Sequence, residues 1–198
     1  MSLAGYFDQV WQEGEDPFGY RSRWYEARKR ALLLAALPLP RFARGWEIGC
    51  ANGELTADLA GRCDQLLGTD LHPRAVAVAR QRCAELPHVR IERMEHPRQW
   101  PQDRFDLVVV GEMGYYLDAD ALDAFARQLA TSLQPGAVLV ACHWRADFEG
   151  RRTGTEEVHA RLAAIEGLRP CGHYHDEDFV LDCWSSDPVT VAQREGLR

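Results

Sequence analysis

None of the six cysteines, Cys50, Cys63, Cys83, Cys142, Cys171 and Cys183, forms a Cys-x-x-Cys pair, and none has a histidine at a zinc-finger interval. That spacing excludes the common zinc modules and leaves free thiols in a reducing compartment as the simplest reading; no metal is expected. Long apolar runs are missing as well. Nothing approaches the roughly 20 residues that cross a bilayer, and Met1 to Glu15 lacks the basic start and apolar core of a secretory signal. A cytoplasmic protein with no membrane partner is therefore expected. Positive charge is in deficit: 23 Lys and Arg stand against 30 Asp and Glu, a net charge of -7, with no basic block to track a phosphate backbone. Nucleic acid is not expected as a partner. There is no internal repeat and no Gly-x-Gly-x-x-Gly fingerprint.

What is present suits one globular domain: 198 residues, 46% hydrophobic and 27% charged. The chain is organised around Arg44-Gly45-Trp46-Glu47-Ile48-Gly49-Cys50-Ala51-Asn52-Gly53-Glu54, which reads as a strand, a glycine-punctuated turn and the start of a helix. Open α/β sheets hold nucleotide-like ligands at such a turn, where Gly49 and Gly53 let the backbone bend and approach a ligand. Two glycines in a strand-to-helix bend also occur for backbone reasons alone. A second point decides between the readings. The next strand, Gln65 to Asp70, ends in an acid 17 residues beyond Gly53. That is close to the spacing at which an acid accepts from a ribose diol.

Upstream, residues 5 to 20 hold Tyr6, Phe7, Trp11, Phe18 and Tyr20, an aromatic flap expected to pack on the domain. A helix is expected from Ser22 to the stop at Pro38, with Tyr25, Arg28 and Lys29 on one face, either solvated or ligand-facing. Downstream, a helix runs from Ala75 to about Leu86. A strand follows over Val89–Arg93, and Phe105–Gly111 is a continuous apolar strand but for Asp106, as in a parallel strand buried on both faces. Asp118 caps a helix over Ala119–Ser132. Gln134-Pro135-Gly136 turns into a strand over Ala137–Trp144, and a last helix spans Glu156 to Gly167. Two late strands, Arg169–His175 and Asp178–Ser185, form a hairpin, so one of them runs antiparallel.

As an ordered set, Glu47-x-Gly49-x-x-x-Gly53, Asp70, Phe105-Asp106-Leu107-Val108-Val109 and Leu133-Gln134-Pro135-Gly136 resemble the class I S-adenosylmethionine-dependent methyltransferases over residues 40 to 185. The sequence departs from that pattern at Ala51, where a middle glycine is common. Asp16-Pro17-Phe18, Trp24-Tyr25-Glu26 and Gly111 to Leu117 are further similar to the nodulation protein S branch, whose members methylate the free amine of a deacetylated chitooligosaccharide. The resemblance implies a Rossmann-like doubly wound α/β fold, a seven-stranded sheet with an antiparallel final strand, under an N-terminal helical and aromatic cap. It divides the chain into a cap over the cofactor site (1–40), a methyltransferase domain (41–190) and a tail (191–198).

It also implies S-adenosyl-L-methionine as cofactor, with Glu47, Gly49 and Gly53 lining its amino-acid end, Asp70 on the ribose, and Tyr25, Cys50 and Ala51 as further cofactor-binding residues. Leu71 and Met94 would sandwich the adenine, Glu95 would sit near its amine, and Glu112 would border the methyl group.

The implied reaction is N-methylation of a small-molecule or oligosaccharide substrate. Glu112 and His143, both expected at carboxyl ends of neighbouring strands, are the candidate proton acceptors, and Tyr115, with Tyr116 and Trp144, a candidate aromatic rim. His143 reads equally as a hydrogen-bonded histidine of the sheet end. Two other classes compete. One is a module that binds S-adenosylmethionine without turnover. The other is a NAD(P)-dependent oxidoreductase, against which residues 49 to 54, Gly-Cys-Ala-Asn-Gly-Glu, place an acid where a pyrophosphate would lie.

Overall fold

The structure, a computed structural model, describes residues 3–198. Its centre is a seven-stranded sheet in the order β3-β2-β1-β4-β5-β7-β6. The strands are β1 (Phe42–Ile48), β2 (Cys63–Asp70), β3 (Val89–Arg93), β4 (Phe105–Gly111), β5 (Leu133–Trp144), β6 (Arg169–His175) and β7 (Phe179–Ser185). The first five pair in parallel, and β7 runs antiparallel between β5 and β6. This is the expected doubly wound fold with its reversed final strand.

Both faces of the sheet are covered. Along β4, Val108 and Val110 point to one face with Trp46 and Leu139, while Leu107 and Val109 point to the other with Phe42 and Val140. Strict alternation with both faces apolar is why β4 reads as a continuous hydrophobic run. One face packs against α5 (Ala119–Ser132) and α6 (Thr155–Ala163), and the other against α2 (Trp24–Ala36) and α3 (Glu54–Ala60). Helix α4 (Pro73–Arg82) covers the β2–β3 end. It starts with Pro73 at its first turn and His72 as cap, and α5 starts where Asp118 accepts from the Ala121 N–H at 3.0 Å.

Several boundaries differ from expectation. Strand β5 begins at Leu133, which pairs with Phe105 before the register shifts across the Gly136 turn. Helix α4 stops at Arg82, short of Leu86, and α6 stops at Ala163. The aromatic flap is itself partly helical: α1 (Leu3–Val10) runs into a 3-10 turn at Trp11–Glu13. Leu3, Tyr6, Phe7 and Val10 stand at helical spacing; Tyr6 and Phe7 pack against Tyr116, and Trp11 lies flat on the His72 ring at 5.9 Å. Among the described residues no helix is long and apolar enough to cross a membrane, and all six cysteines are free thiols.

Candidate active site

The strand order reverses between β1 and β4, and a cavity of about 800 Å³ opens at the carboxyl ends of the strands there, where α/β sheets take their ligands. Gly49 ends β1 with φ 83°, and a Cβ at that position would lie 2.8 Å from the Gly111 carbonyl oxygen. A glycine is required because β1 and β4 converge at the mouth of the site. Ala51 adopts φ 45°, so the residue that departs from the family pattern carries a left-handed backbone that a glycine takes freely. The turn is held by Asp70, whose Oδ2 accepts from the Ala51 N–H at 3.0 Å and whose Oδ1 accepts from the His72 N–H at 2.9 Å. Burial raises the Asp70 carboxyl above its usual range, against these two amide bonds. From the cap, Asp16 accepts from the Asn52 side-chain amide at 2.9 Å, clipping the flap to the same turn.

Gly49, Ala51, Asp70, Leu71, Met94, Glu95, Glu112 and Tyr115 line the cavity. Glu47, Cys50 and, again, Gly49, Ala51 and Glu112 line a smaller recess beside it, of about 60 Å³. The sequence-selected residues from four strand ends thus converge. Glu47 is 2% exposed and accepts from the Thr56 hydroxyl at 2.5 Å. Burial raises its carboxyl to about 7, the Thr56 bond acting the other way. Gly53 lines neither space; it packs its α-carbon side against Ala79 and starts α3.

Besides Gly53, the expectations for Tyr25 and His143 need correction. Tyr25 does not reach the cavity: its ring packs edge-on against Phe179 at 6.0 Å, beneath the site. Arg28, on the same helical face, binds Asp176 at 2.9 Å instead of a ligand. His143 is fully buried and unavailable as a base, because its Nε2 accepts from the Gly114 N–H at 3.1 Å. Burial, His159, Lys29 and Arg151 together hold its imidazole well below the usual histidine value.

One group exceeds what its place on a helical face could single out. Lys29, the only lysine in the chain, is buried with Nζ 2.6 Å from Glu112 Oε1 and 3.0 Å from Glu26 Oε2. Burial opposes its charge, but the two carboxylates overcome that and hold the ammonium above the ordinary lysine range. Every other basic side chain apart from the histidines is arginine, so a compact point charge is used only here. The aromatic flap lines the cavity too: Tyr6, Phe7, Phe18 and Tyr20 border it together with Tyr115, Tyr116 and Phe148, Tyr6 and Phe7 packing on Tyr116. Trp144, 37% exposed, stacks on Phe148 at 6.0 Å at the rim.

Four carboxylates, Asp70, Glu95, Glu112 and Asp118, line the cavity with three arginines, Arg93, Arg98 and Arg152; Arg98 pairs with Glu95 and Arg152 with Asp118, so the acid beside the glycine turn is Asp70, held by backbone amides and suited to hydroxyl donors rather than to a phosphate. The residues therefore fit S-adenosylmethionine. Glu54, bound to Arg21 and Arg82, keeps an acid beside the turn where a dinucleotide would need room for pyrophosphate. No group of three metal-ligating side chains occurs among the described residues.

Comparison with known proteins agrees. A methyltransferase-domain family model matches residues 46–136. Nodulation protein S of Sinorhizobium fredii is 30% identical over 176 residues, covering 84% of this chain and 82% of that protein. Trans-aconitate 2-methyltransferase of Variovorax paradoxus is 34% identical, over 63% of this chain and 48% of that protein. Among solved structures, a protein of Pseudomonas syringae superposes with a TM-score of 0.74 at 47% identity, over 82% of this chain and 99% of that one. The N-methyltransferase NodS of Bradyrhizobium japonicum, in complex with S-adenosyl-L-homocysteine, superposes with a TM-score of 0.82 at 27% identity, over 94% of this chain and 98% of that one. The chain belongs to the class I S-adenosylmethionine-dependent methyltransferases, in the nodulation protein S family.

Proposed function

We propose that the protein methylates an amine nitrogen of a small-molecule or saccharide acceptor held between the cap and Glu112. The observation that carries this reading is the Glu112 carboxylate at the cavity floor, fixed by Lys29 and faced by a wall of buried tyrosines. The N-methyltransferase named above supports it by similarity.

In this reading the bound cofactor supplies a methyl group on a positive sulfur, and the C–S electron pair stays with sulfur as the acceptor nitrogen bonds the carbon. The protein's task is alignment, which supplies several kcal/mol in a displacement of this type. Asp70 would hold the ribose hydroxyls, and Leu71 and Met94 would flank the adenine near Glu95. Gly49, Cys50 and Ala51 would give backbone to the amino-acid end, with Glu47 behind the turn. Glu112 accepts a hydrogen bond from the acceptor amine and turns its lone pair toward the methyl carbon. Burial keeps the Tyr115 phenol protonated, so it contributes its ring rather than a base; aromatic contacts to a developing ammonium are worth about 0.5–2 kcal/mol each. In this reading residues 3–20 act as the cap, α2 packs with the sheet as part of the catalytic domain that runs to residue 190, and 191–198 form a tail.

Incubation with S-adenosylmethionine and a panel of amino sugars, simple amines, their N-acetylated or hydroxyl counterparts, carboxylates and nucleic acids, read by mass spectrometry, tests the proposal. Methylation confined to free amines is expected. Product from carboxylates, hydroxyls or nucleic acid with none from amines would refute it.

A further inference from the structure

The loop after β4 carries Glu112, Tyr115 and Tyr116, and its middle residue is tied to the back of the fold by a line of hydrogen bonds. Gly114 N–H meets His143 Nε2 at 3.1 Å, His143 Nδ1 lies 3.0 Å from His159 Nε2, and His159 Nδ1 lies 2.6 Å from Asp182 Oδ2. The other oxygen, Asp182 Oδ1, lies 2.6 Å from Nδ1 of His173. His143 and His159 are buried, on β5 and α6, whereas His173 on β6 is exposed. Neither Asp182 nor His159 lines the cavity.

The direction of this line follows from one fact: a backbone amide can only donate. His143 Nε2 must therefore accept, which places its proton on Nδ1 and makes the ring neutral. That Nδ1–H can be satisfied only if His159 Nε2 accepts, which places the His159 proton on Nδ1 and aims it at the Asp182 carboxylate. A cationic His159 would set two N–H groups against each other. Burial works against ionisation of Asp182, but the bonds from His159 and His173 outweigh it and hold the carboxyl below its usual range, so an acceptor is always present. Packing leaves the loop little alternative. A Cβ on Gly114 would lie 2.5 Å from Val158 Cγ1 of α6 and 3.0 Å from His143 Nε2. Glu112, two residues earlier, sits at φ 24°, a backbone that persists only when its surroundings over-determine it.

We infer that Asp182 and His159 are positioning residues for methyl transfer: they fix His143 in its Nδ1–H tautomer, so that its Nε2 pins the Gly114 amide and with it the Glu112–Tyr116 loop. This rests on the reading of Glu112 as part of the acceptor site. Asp182→Leu removes the acceptor for His159, which then moves its proton to Nε2. His143 Nδ1 must accept in turn, and the Gly114 amide loses its partner. Asp182→Asn keeps a side-chain oxygen and should preserve the line.

The test has two arms. Two-bond 1H–15N spectra at pH 7.5 report which ring nitrogen carries the proton, with His143→Gln and His159→Gln used for assignment. The expected wild-type and Asp182→Asn result is protons on Nδ1 of both rings. In Asp182→Leu the His159 proton moves to Nε2. For kinetics with an amine acceptor, kcat should fall about tenfold or more in Asp182→Leu, as for a buried donor left unpaired, and by less than about threefold in Asp182→Asn. S-adenosylhomocysteine affinity should hold to within about twofold in both, since no cavity contact changes. A proton on Nε2 of either wild-type ring overturns the inference, as does an unchanged kcat in a folded Asp182→Leu. If Asp182→Leu does not fold, the wild-type spectrum still decides the tautomers, and a tenfold loss in Asp182→Asn with unchanged tautomers overturns the positioning role. A wild-type protein that turns over no amine refutes the proposed function instead, and the tautomer result then stands by itself.

Discussion

Replacing Lys29 by methionine measures how much of the site depends on one buried cation. Methionine keeps the length and apolar stem of lysine and removes only the charge. In the native protein Lys29 and Glu26 are each 6% exposed, with Nζ 3.0 Å from Glu26 Oε2 and 2.6 Å from Glu112 Oε1. Without the ammonium, two carboxylates share the recess uncompensated. Removing one member of a buried ion pair costs about 3–5 kcal/mol, and the lower figure applies because the Glu112 side chain keeps 20% of its exposure. A loss of about 3 kcal/mol is expected at pH 8.

The loss has a definite pH dependence. Burial already raises Glu26 above its ordinary 4.5, Lys29 being the main opposing influence, so removing Lys29 raises it further. A carboxyl whose folded value exceeds its unfolded one keeps its proton in the native state. The deficit of Lys29→Met must therefore grow as pH rises above 4.5 and shrink on acidification. Urea unfolding at pH 5 and pH 8 reads this directly, and the Glu26→Gln/Lys29→Met pair should recover part of the loss at pH 8. Native-like stability at pH 8, or an equal deficit at both pH values, would refute the account of this cluster. As Lys29 is the only lysine, amine-selective labelling followed by peptide mass spectrometry gives an independent readout. Its peptide should stay unlabelled in native protein and react in urea.

Other expectations are as direct. Ala51→Gly relieves a left-handed backbone at φ 45° and should stabilise the protein by about 0.5–1 kcal/mol in chemical unfolding, the gain being reduced by the entropy of glycine in the unfolded chain. Glu47 has a folded value of about 7 against 4.5, so its contribution is complete below pH 4.5 and is lost as pH rises through 7. Glu47→Gln should therefore flatten the stability profile and exceed wild type by up to about 3 kcal/mol at pH 8, while matching it below pH 5. Asp70→Ala should weaken S-adenosylhomocysteine binding about a hundredfold by calorimetry, through loss of a charged acceptor and of the bonds that shape the turn. An affinity within a few-fold of wild type would remove Asp70 from the cofactor site.

Local pattern carried most of the fold. Val89–Arg93, Phe105–Gly111 and Ala119–Ser132 match the structure residue for residue, because each combines an unambiguous period with a clear start or stop. Boundaries drifted where the period is interrupted, as at Gln134-Pro135-Gly136, which the sheet absorbs as a register shift. Helix α1 carries a helical stripe, Leu3, Tyr6, Phe7 and Val10, but it is only eight residues long and runs into the aromatic stretch to Tyr20, so the segment reads as a flap until its rings are seen against Tyr116 and His72.

The cavity wall is written in the sequence, since Gly49, Asp70, Glu95 and Glu112 stand at strand ends and open α/β sheets bring strand ends together on one edge. Contacts between distant segments are another matter. From spacing alone, Tyr25, Arg28 and Lys29 are equivalent members of one helical face. The tertiary structure sends one to Phe179, one to Asp176 and only Lys29 to Glu112, 83 residues away. His143 likewise reads as a candidate base until α6 and β7 set His159 and Asp182 behind it and commit its lone pair to Gly114. The sequence by itself determined the sheet, the glycine turn and the acids beside it, because those follow from local period and from topology. Which ionisable groups pair, and so which are free to meet a substrate, was decided only by packing, because a charge or a lone pair is spoken for by whatever the fold places within three ångströms of it.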